Sequence, residues 1–527
     1  MVMSQALIDA LRDPARYDHP VDRVDLIETH ISWVLLAGDY AYKIKKPVDF
    51  GFLDFSTLEK RENFCREELR LNRRLAPSLY LEVVAIGGPA EVPRLGATDQ
   101  VIEFAVKMKR FDEALRLDHL LDANTLEGSH IDSLADELAA FHGTAGIAGK
   151  DREYGDPDVV LQPVLENFEQ IRPLLDPRQH AKQLQLLERI EDWCHASFDQ
   201  LRDTLAERKQ NGFVRECHGD AHLANMVLID GQVLLFDCLE FNPALRWIDV
   251  ISELAFTVMD FEDRAHPAFA RRLLDRYLQR SGDYGGLALL RFYEVYRACV
   301  RAKVAALRWQ QTPVGEAHQS AWLELCEYLS LAESYTHPRQ PVIVCCSGVS
   351  GSGKTTISQE ILESLPLIRI RSDVERKRLF GLSLEARSEE AVGEAMYSEE
   401  ANARTFDQLA SLARTIVGAG FGVIVDATFL RLAERQRFAD LARALDAPFR
   451  ILEITASETV MRERIERRNH LGKDASEADT SVLARQLEWR EPLTAEERKL
   501  ALTVANERGA DLGKIRSELD SLIKGMD

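Results

Sequence analysis

The segment Gly348-Val-Ser-Gly-Ser-Gly353-Lys354-Thr355 constrains this chain more than any other stretch. It fits GxxxxGK[ST] in full, follows the apolar run Val342-Ile-Val-Cys-Cys and precedes a helical pattern over 354–364. Strand, glycine loop and helix in that order make a phosphate cradle. Glycines let backbone N–H groups curl around oxygens with no Cβ in the way, and the helix N-terminus adds unpaired donors and about half a positive charge. On this reading Gly348, Ser350, Gly351, Ser352, Gly353, Lys354, Thr355 and Thr356 surround the phosphates of ATP. Lys354 reaches the β- and γ-phosphates, and the Thr355 hydroxyl ligates Mg2+. Strands are expected at 342–347, 368–371, 422–425 and 450–455, and helices at 354–364 and 399–418. The strands are continuous apolar runs, as in a parallel sheet covered by helices on both faces.

Two carboxylates fall just past strands of this half: Asp373 in Arg-Ser-Asp and Asp426 in Val-Ile-Val-Asp. The carboxyl ends of parallel strands are where such sheets bind ligands. Asp426 is placed to hold Mg2+ or its water, and Asp373 to accept the proton of an attacking hydroxyl. Arg464 and Arg468 stand four apart on one helix face, where they can close over the phosphates. Together GVSGSGKTT, RSDVERKRL, VIVDAT and the RxxxR segment resemble the small P-loop kinases related to polynucleotide 5′-kinase, gluconate kinase and zeta toxins. The resemblance covers about 341–500 and implies Asp373 as catalytic base and Arg464 and Arg468 as lid arginines. It leaves the acceptor open, since sugars, nucleosides and polynucleotide ends all serve within that group.

The first half carries a second constellation. His218-Gly-Asp220-Ala-His-Leu-Ala-Asn225 fits HGDxxxxN, and Phe236-Asp237 follows. This is the spacing of a kinase catalytic loop and its metal-binding acid. Asp220 can take a hydroxyl proton, while Asn225 and Asp237 offer oxygens to a hard cation. His218 reads as a loop-holding residue and His222 has no assigned role. Upstream, strands at 24–31 and 33–37, a Gly38-Asp39 turn and a return strand at 40–45 put Lys43 at an ATP-binding position. Lys45, on the same face, is the rival. In the helix expected over 58–75, Glu68 shares the inward face of Leu71 and Leu75 and can pair with Lys43, with Glu67 as the alternative. Another strand is expected at 101–108, a largely helical stretch at 131–210, and short strands at 213–216 and 233–236. HGDAHLAN, Asp237 and Trp247-Ile-Asp249-Val resemble the aminoglycoside phosphotransferase and choline kinase group over roughly 30–330. That resemblance implies a small-molecule acceptor and makes Asp249 a structural acid. No GxGxxG precedes Lys43, a departure from protein kinases. Tyr293, Arg297, Arg301 and Val304 form one helical stripe, read as packing with snorkelling arginines.

A long helical pattern over 289–332 ends at SYTHPRQP, which places a boundary at 334–341. The expectation is an α+β bilobal, protein-kinase-like domain at 1–336, then an α/β P-loop domain with a parallel sheet at 341–527. This order resembles bacterial bifunctional aminoglycoside phosphotransferase/ATP-binding proteins. Two Mg-ATP sites serving small hydroxyl-bearing acceptors follow from it. The alternatives are an ATP-driven switch in which one domain gates the other, and nucleotidyl transfer to protein. The net charge of −20 argues against a general nucleic-acid binder. The opening residues lack the apolar core of a signal peptide, and no apolar run approaches the ~20 residues of a bilayer span. Eight cysteines without a CxxC are expected as reduced thiols in the cytoplasm. The sequence leaves oligomeric state open.

Overall fold

A computed structural model of the chain describes residues 2–49, 51, 53–384, 396, 398–471, 480–507 and 509–525. The chain divides into two compact units: Met1–Glu166 with Arg202–Asp260, and Asn167–Leu201 with Phe261–Asp527. Compaction therefore divides the chain elsewhere than at the proline-bearing segment 334–341.

Unit 1 holds a six-stranded antiparallel sheet in the order β1-β2-β3-β6-β4-β5. The strands are β1 Val24–Glu28, β2 Ser32–Ala37, β3 Tyr40–Lys45, β4 Tyr80–Gly87, β5 Arg94–Leu95 and β6 Val101–Lys109. Strands β2 and β3 form the expected hairpin, with Ala37 opposite Tyr40 across Gly38-Asp39. Gly38 takes φ +56, and a Cβ there would run into the Pro20 carbonyl. Strand β4 was not anticipated from the sequence; it pairs antiparallel with β6. Helix Leu58–Asn72 packs on β4 and β6. Later in the chain come β7 Val214–Glu216, β8 Met226–Ile229, β9 Gln232–Leu235 and β10 Trp247–Asp249. Strands β8 and β9 make a tight hairpin through Asp230 and Gly231, both at positive φ, as a two-residue turn matched to strand twist requires. β7 pairs with β10 and β8 with β9, so the loop between β7 and β8 is pinned at both ends.

Unit 2 is built on a five-stranded, all-parallel sheet in the order β12-β13-β11-β14-β15. Its strands are β11 Ile343–Ser347, β12 Leu367–Arg371, β13 Gly422–Asp426, β14 Phe449–Thr455 and β15 Ala501–Ala505. Every residue of β11 and β13 is buried, which explains their unbroken apolar runs. The edge strand β15, short and alternating, was not read from the sequence. The helical pattern at 289–332 is two helices, Leu287–Gln311 and Glu316–Thr336, broken where Pro313 and Gly315 interrupt it. With helix Pro267–Ser281 they belong to unit 2. The stripe of Tyr293, Arg297, Arg301 and Val304 is packing at its first two positions, which are buried, while Val304 is exposed.

Candidate active sites

In unit 1, helix Leu58–Asn72 begins at Thr57, whose hydroxyl accepts the Lys60 N–H at 3.2 Å. Arg61, Cys65, Glu68, Leu71 and Asn72 form its buried stripe, so the helical period turns Glu68 inward. Two lysines on β3 meet that carboxylate. Lys43 Nζ lies 2.8 Å from Glu68 Oε1 and Lys45 Nζ 2.7 Å from Oε2. Lys43 also reaches Asp237 at 2.5 Å, whereas Lys45 pairs with Glu240. Glu67 instead meets Arg70 at 2.7 Å and Arg246 at 2.8 Å. Burial opposes the charge on Lys43, but Asp237 and Glu68 outweigh it and hold the ammonium charged well above the usual lysine range. Burial likewise pushes Glu68 up, yet its two lysines bring it down to about 2. For Glu240 burial prevails over Lys45, and its carboxyl is raised.

The loop after β7 carries His218, Asp220 and Asn225. Gly219 takes φ +90, and a Cβ would sit 2.8 Å from the Leu245 carbonyl, so the turn needs glycine. His218 Nε2 donates to the Phe236 carbonyl at 2.9 Å while its Nδ1 accepts the Asp220 N–H at 3.3 Å. That uses both ring nitrogens of a neutral imidazole, and burial lowers the His218 pKa accordingly. Asn225 Nδ2 donates to Asp220 Oδ2 at 2.9 Å. His222, given no role from the sequence, stands 3.4 Å from the same Asp220 oxygen. Asp249 takes hydrogen bonds from Arg208 at 2.7 and 2.9 Å and caps Ile251 N–H at 2.9 Å, which is a structural task.

Helix Val250–Asp263 braces this loop. Glu253 Oε2 accepts the Gly219 N–H at 2.6 Å, Thr257 donates to the Ala221 carbonyl at 2.7 Å, and Asp260 accepts the Leu223 N–H at 2.7 Å. Spacings of four and three put the three side chains on one face, and they meet every second residue of the loop. His142 Nε2, 3.0 Å from Glu253 Oε1, supports the carboxylate. Burial raises Glu253, but the bond from His142 and its neighbours prevail, and the net direction is down. None of these three was singled out from the sequence. The E-x3-T-x2-D spacing was visible, but nothing in it says what the helix faces.

In unit 2 the cradle follows β11. Gly351 and Gly353 sit at φ +81 and +93. A Cβ on Gly351 would lie 2.6 Å from the Met461 carbonyl, and one on Gly353 would collide with the Asn506 amide. Thr355 Oγ1 donates to Asp426 Oδ2 at 2.8 Å, and Lys354 Nζ donates to the Val349 carbonyl at 3.1 Å. Burial lowers the Lys354 pKa, opposed by Asp426 and Asp373. Ser350 N–H donates to Gln486 at 2.7 Å. Arg464 reaches the Gly351 and Ser352 carbonyls at 3.4 and 3.3 Å. A cavity of about 860 Å3 joins these parts, and Lys354, Thr355, Asp373, Asp426, Arg464 and Arg468 all line it. The oxygen donors of Thr355 with Asp426, and of Asn225 with Asp237, suit a hard divalent cation. The open glycine cradle suits phosphates.

Residues 54–290 match the phosphotransferase enzyme family and residues 342–493 match an AAA domain. The uncharacterized protein Rv2004c of Mycobacterium tuberculosis is 31% identical over 482 residues, spanning 89% of this chain and 92% of its own length. The chain belongs to the same family. Among solved structures, the amicoumacin kinase hAmiN in complex with AMP-PNP, Ca2+ and Ami is 12% identical, covering 63% of this chain and 93% of that one at TM-score 0.40. A gluconokinase from Sinorhizobium meliloti 1021 is 22% identical, covering 36% and 97% at TM-score 0.25. Two kinase-type domains mark the chain as a phosphotransferase that uses ATP and a divalent metal. Lys43 and Lys45 precede the phosphotransferase match and Asn506 follows the AAA match, so each site draws residues from outside the matched segment. Among the described residues no helix is long and apolar enough to cross a membrane.

Proposed function

We propose that the protein is a bifunctional ATP-dependent phosphotransferase acting on small hydroxyl-bearing molecules, one at each site. The observation that carries this reading is the shared cavity of unit 2, where Asp373 stands in the same space as the cradle of Lys354 and Thr355. A base and a phosphate site in one enclosure favour transfer to an acceptor over bare nucleotide binding. Asp373 accepts the hydroxyl proton, the acceptor oxygen bonds to the γ-phosphorus, and the bond to the departing ADP oxygen breaks. Lys354, Arg464 and Arg468 offset charge on the transferred group. In unit 1 Asp220 is the base, held by Asn225 and by the braced loop, and Lys43, fixed by Glu68, addresses the phosphates. Thr355 and Asp426 in one site, and Asn225 and Asp237 in the other, would hold Mg2+, which when bound would neutralise charge at the phosphates.

The test is mass spectrometry of a bacterial metabolite extract incubated with Mg-ATP and the protein, beside Asp220→Ala and Lys354→Ala. The expected result is metabolites that gain one phosphoryl group in wild type and lose it in one variant each. ATP consumption with no phosphorylated metabolite would refute the reading in favour of an ATP-driven switch.

A further inference from the structure

Strand β12 reads Leu-Ile-Arg-Ile-Arg, and its middle residue, Arg369, is a cation enclosed in the parallel sheet at 3% exposure. A buried guanidinium is tolerated where its donors are met and its charge is answered. All five N–H groups of Arg369 are met. Nη1 donates to the Thr355 carbonyl and to the Ser358 hydroxyl, each at 3.1 Å, and Nη2 donates to the Gln359 side-chain carbonyl. Nε at 3.3 Å and Nη2 at 2.7 Å donate to the two carboxylate oxygens of Asp275. Of these partners Asp275 alone brings a negative charge, and it faces the fork side-on.

Asp275 stands on helix Pro267–Ser281, inside the stretch that matches the phosphotransferase family. In unit 2 that helix packs on β12 and on helix Lys354–Ser364, which opens with the cradle's lysine and threonine. It grips the cradle's helix at both ends. At the first turn the grip is Asp275 acting through Arg369, whose two targets there, the Thr355 carbonyl and the Ser358 hydroxyl, are themselves bonded at 3.1 Å. At the last turn Arg271 donates to the Glu363 carbonyl at 3.0 Å and Arg272 to the Glu363 carboxylate at 2.8 Å. Gln279 donates to Asp275 at 2.7 Å and steadies its carboxylate, and Arg276 and Gln279 of the same helix line the cavity of the P-loop site. The consequence falls on Thr355. Its carbonyl accepts from Arg369 while its hydroxyl donates to Asp426 at 2.8 Å, so a shift at one end of the residue moves the other.

We propose that Asp275 is a positioning residue of the P-loop site: acting through Arg369, it fixes the turn in which Thr355 and Asp426 hold the divalent cation. The proposal rests on the reading of those two residues as the metal pair of a phosphotransferase. AMP-PNP is titrated into the full-length protein with Mg2+ or with EDTA, and deuterium uptake is followed in the cradle peptide over 348–358. A local readout keeps the nucleotide site of unit 1 out of the signal. The ratio of the two half-protecting concentrations is the gain from Mg2+. Asp275→Asn should lower that gain about 10- to 100-fold, as loss of a group that orients a metal ligand does, and leave the EDTA value unchanged. Arg369→Lys, which keeps the charge but cannot span the same partners, should lower it likewise. In an Arg369→Gln background Asp275→Asn should change nothing further. Equal losses with and without Mg2+, an unchanged gain, an undiminished effect in the Arg369→Gln background, or a wild type that gains nothing from Mg2+ would each overturn the proposal. Uptake of β11 and β13 without nucleotide checks the fold of each variant, and Arg369→Lys decides the matter where Asp275→Asn fails that check. Transfer of labelled γ-phosphate by wild type separates the two readings. An Asp275-dependent Mg2+ gain without any transfer supports the positioning role and counts against phosphotransfer. Lys354-dependent transfer with a gain indifferent to Asp275 leaves phosphotransfer standing and removes the positioning role.

Discussion

Glu68→Gln in the full chain removes the charge that two buried lysines share. Glu68 is fully enclosed, with Lys43 at 2.8 Å and Lys45 at 2.7 Å. Its carboxyl ionises at about 2 against an ordinary 4.5. That gap corresponds to on the order of 3 kcal/mol, at 1.36 kcal/mol per pKa unit. The folded value lies below the unfolded one, so this stabilisation is complete above pH 4.5 and drains away as pH falls from 4.5 towards 2. Glutamine keeps the shape and one acceptor but has no charge to lose. At neutral pH the amides of β3 and helix Leu58–Asn72 should therefore exchange with deuterium on the order of 150-fold faster in the variant, read by peptide mass spectrometry. Amides of β11 and β13, in the other unit, serve as the internal standard. Below pH 4.5 wild type should lose protection in β3 more steeply than the variant. The reasoning is refuted by a change under ~5-fold in β3, which is less than 1 kcal/mol. It is equally refuted by a matching change in β11, or by parallel acid slopes.

Gly353→Ala forces a side chain into φ +93 and against Asn506. Backbone strain alone is worth about 1–2 kcal/mol, so AMP-PNP affinity at unit 2 should fall about tenfold or more, and adding Asn506→Ala should recover the part due to collision. A double variant no better than the single one would remove the collision from the account. Glu253→Ala strips the acceptor from Gly219 N–H and the partner from His142, and should lower stability by about 3 kcal/mol in denaturant titration. The rate of any Asp220-dependent product should fall with it while nucleotide affinity stays, and Glu253→Gln should regain most of both; a wild-type Glu253→Ala protein would sink the brace.

Local pattern carried much of both sites into view. The cradle of 348–356 is legible because glycine, lysine and threonine must sit there in one order for phosphates to be wrapped by backbone. Glu68 was legible because helical period turns it the way of Leu71, and the structure buries it as that period demands. The choice between Lys43 and Lys45 was not legible. Alternate residues of a strand share a face, and what distinguishes these two is whether Asp237 or Glu240 lies opposite, some 194 and 195 residues away. Glu240, Glu253, Thr257 and Asp260 escaped for the same reason. Each acts on a backbone or side chain that no spacing rule connects to it. Strand β4 escaped differently. Its side chains do not alternate cleanly in burial, because the register against β6 shifts near both of its ends.

The position of Arg369 joins the two sequence matches more tightly than a linker does. Its charge is buried in the P-loop sheet, and its carboxylate, Asp275, comes from the segment that matches the phosphotransferase family. Removing one partner of a buried pair typically costs about 3–5 kcal/mol, because the charge left behind has neither water nor a counter-charge. Arg369 would keep its bonds to the Thr355 carbonyl and the Ser358 hydroxyl, which soften the loss without supplying a negative charge. The strain would fall on the turn that presents Thr355 to Asp426. A P-loop segment cut away at 341 would therefore lose more than the wall bearing Arg276 and Gln279. It would also lose the helix that covers Arg369, leaving that guanidinium exposed to water without its carboxylate. Helix Pro267–Ser281 is thus part of the second site's packing.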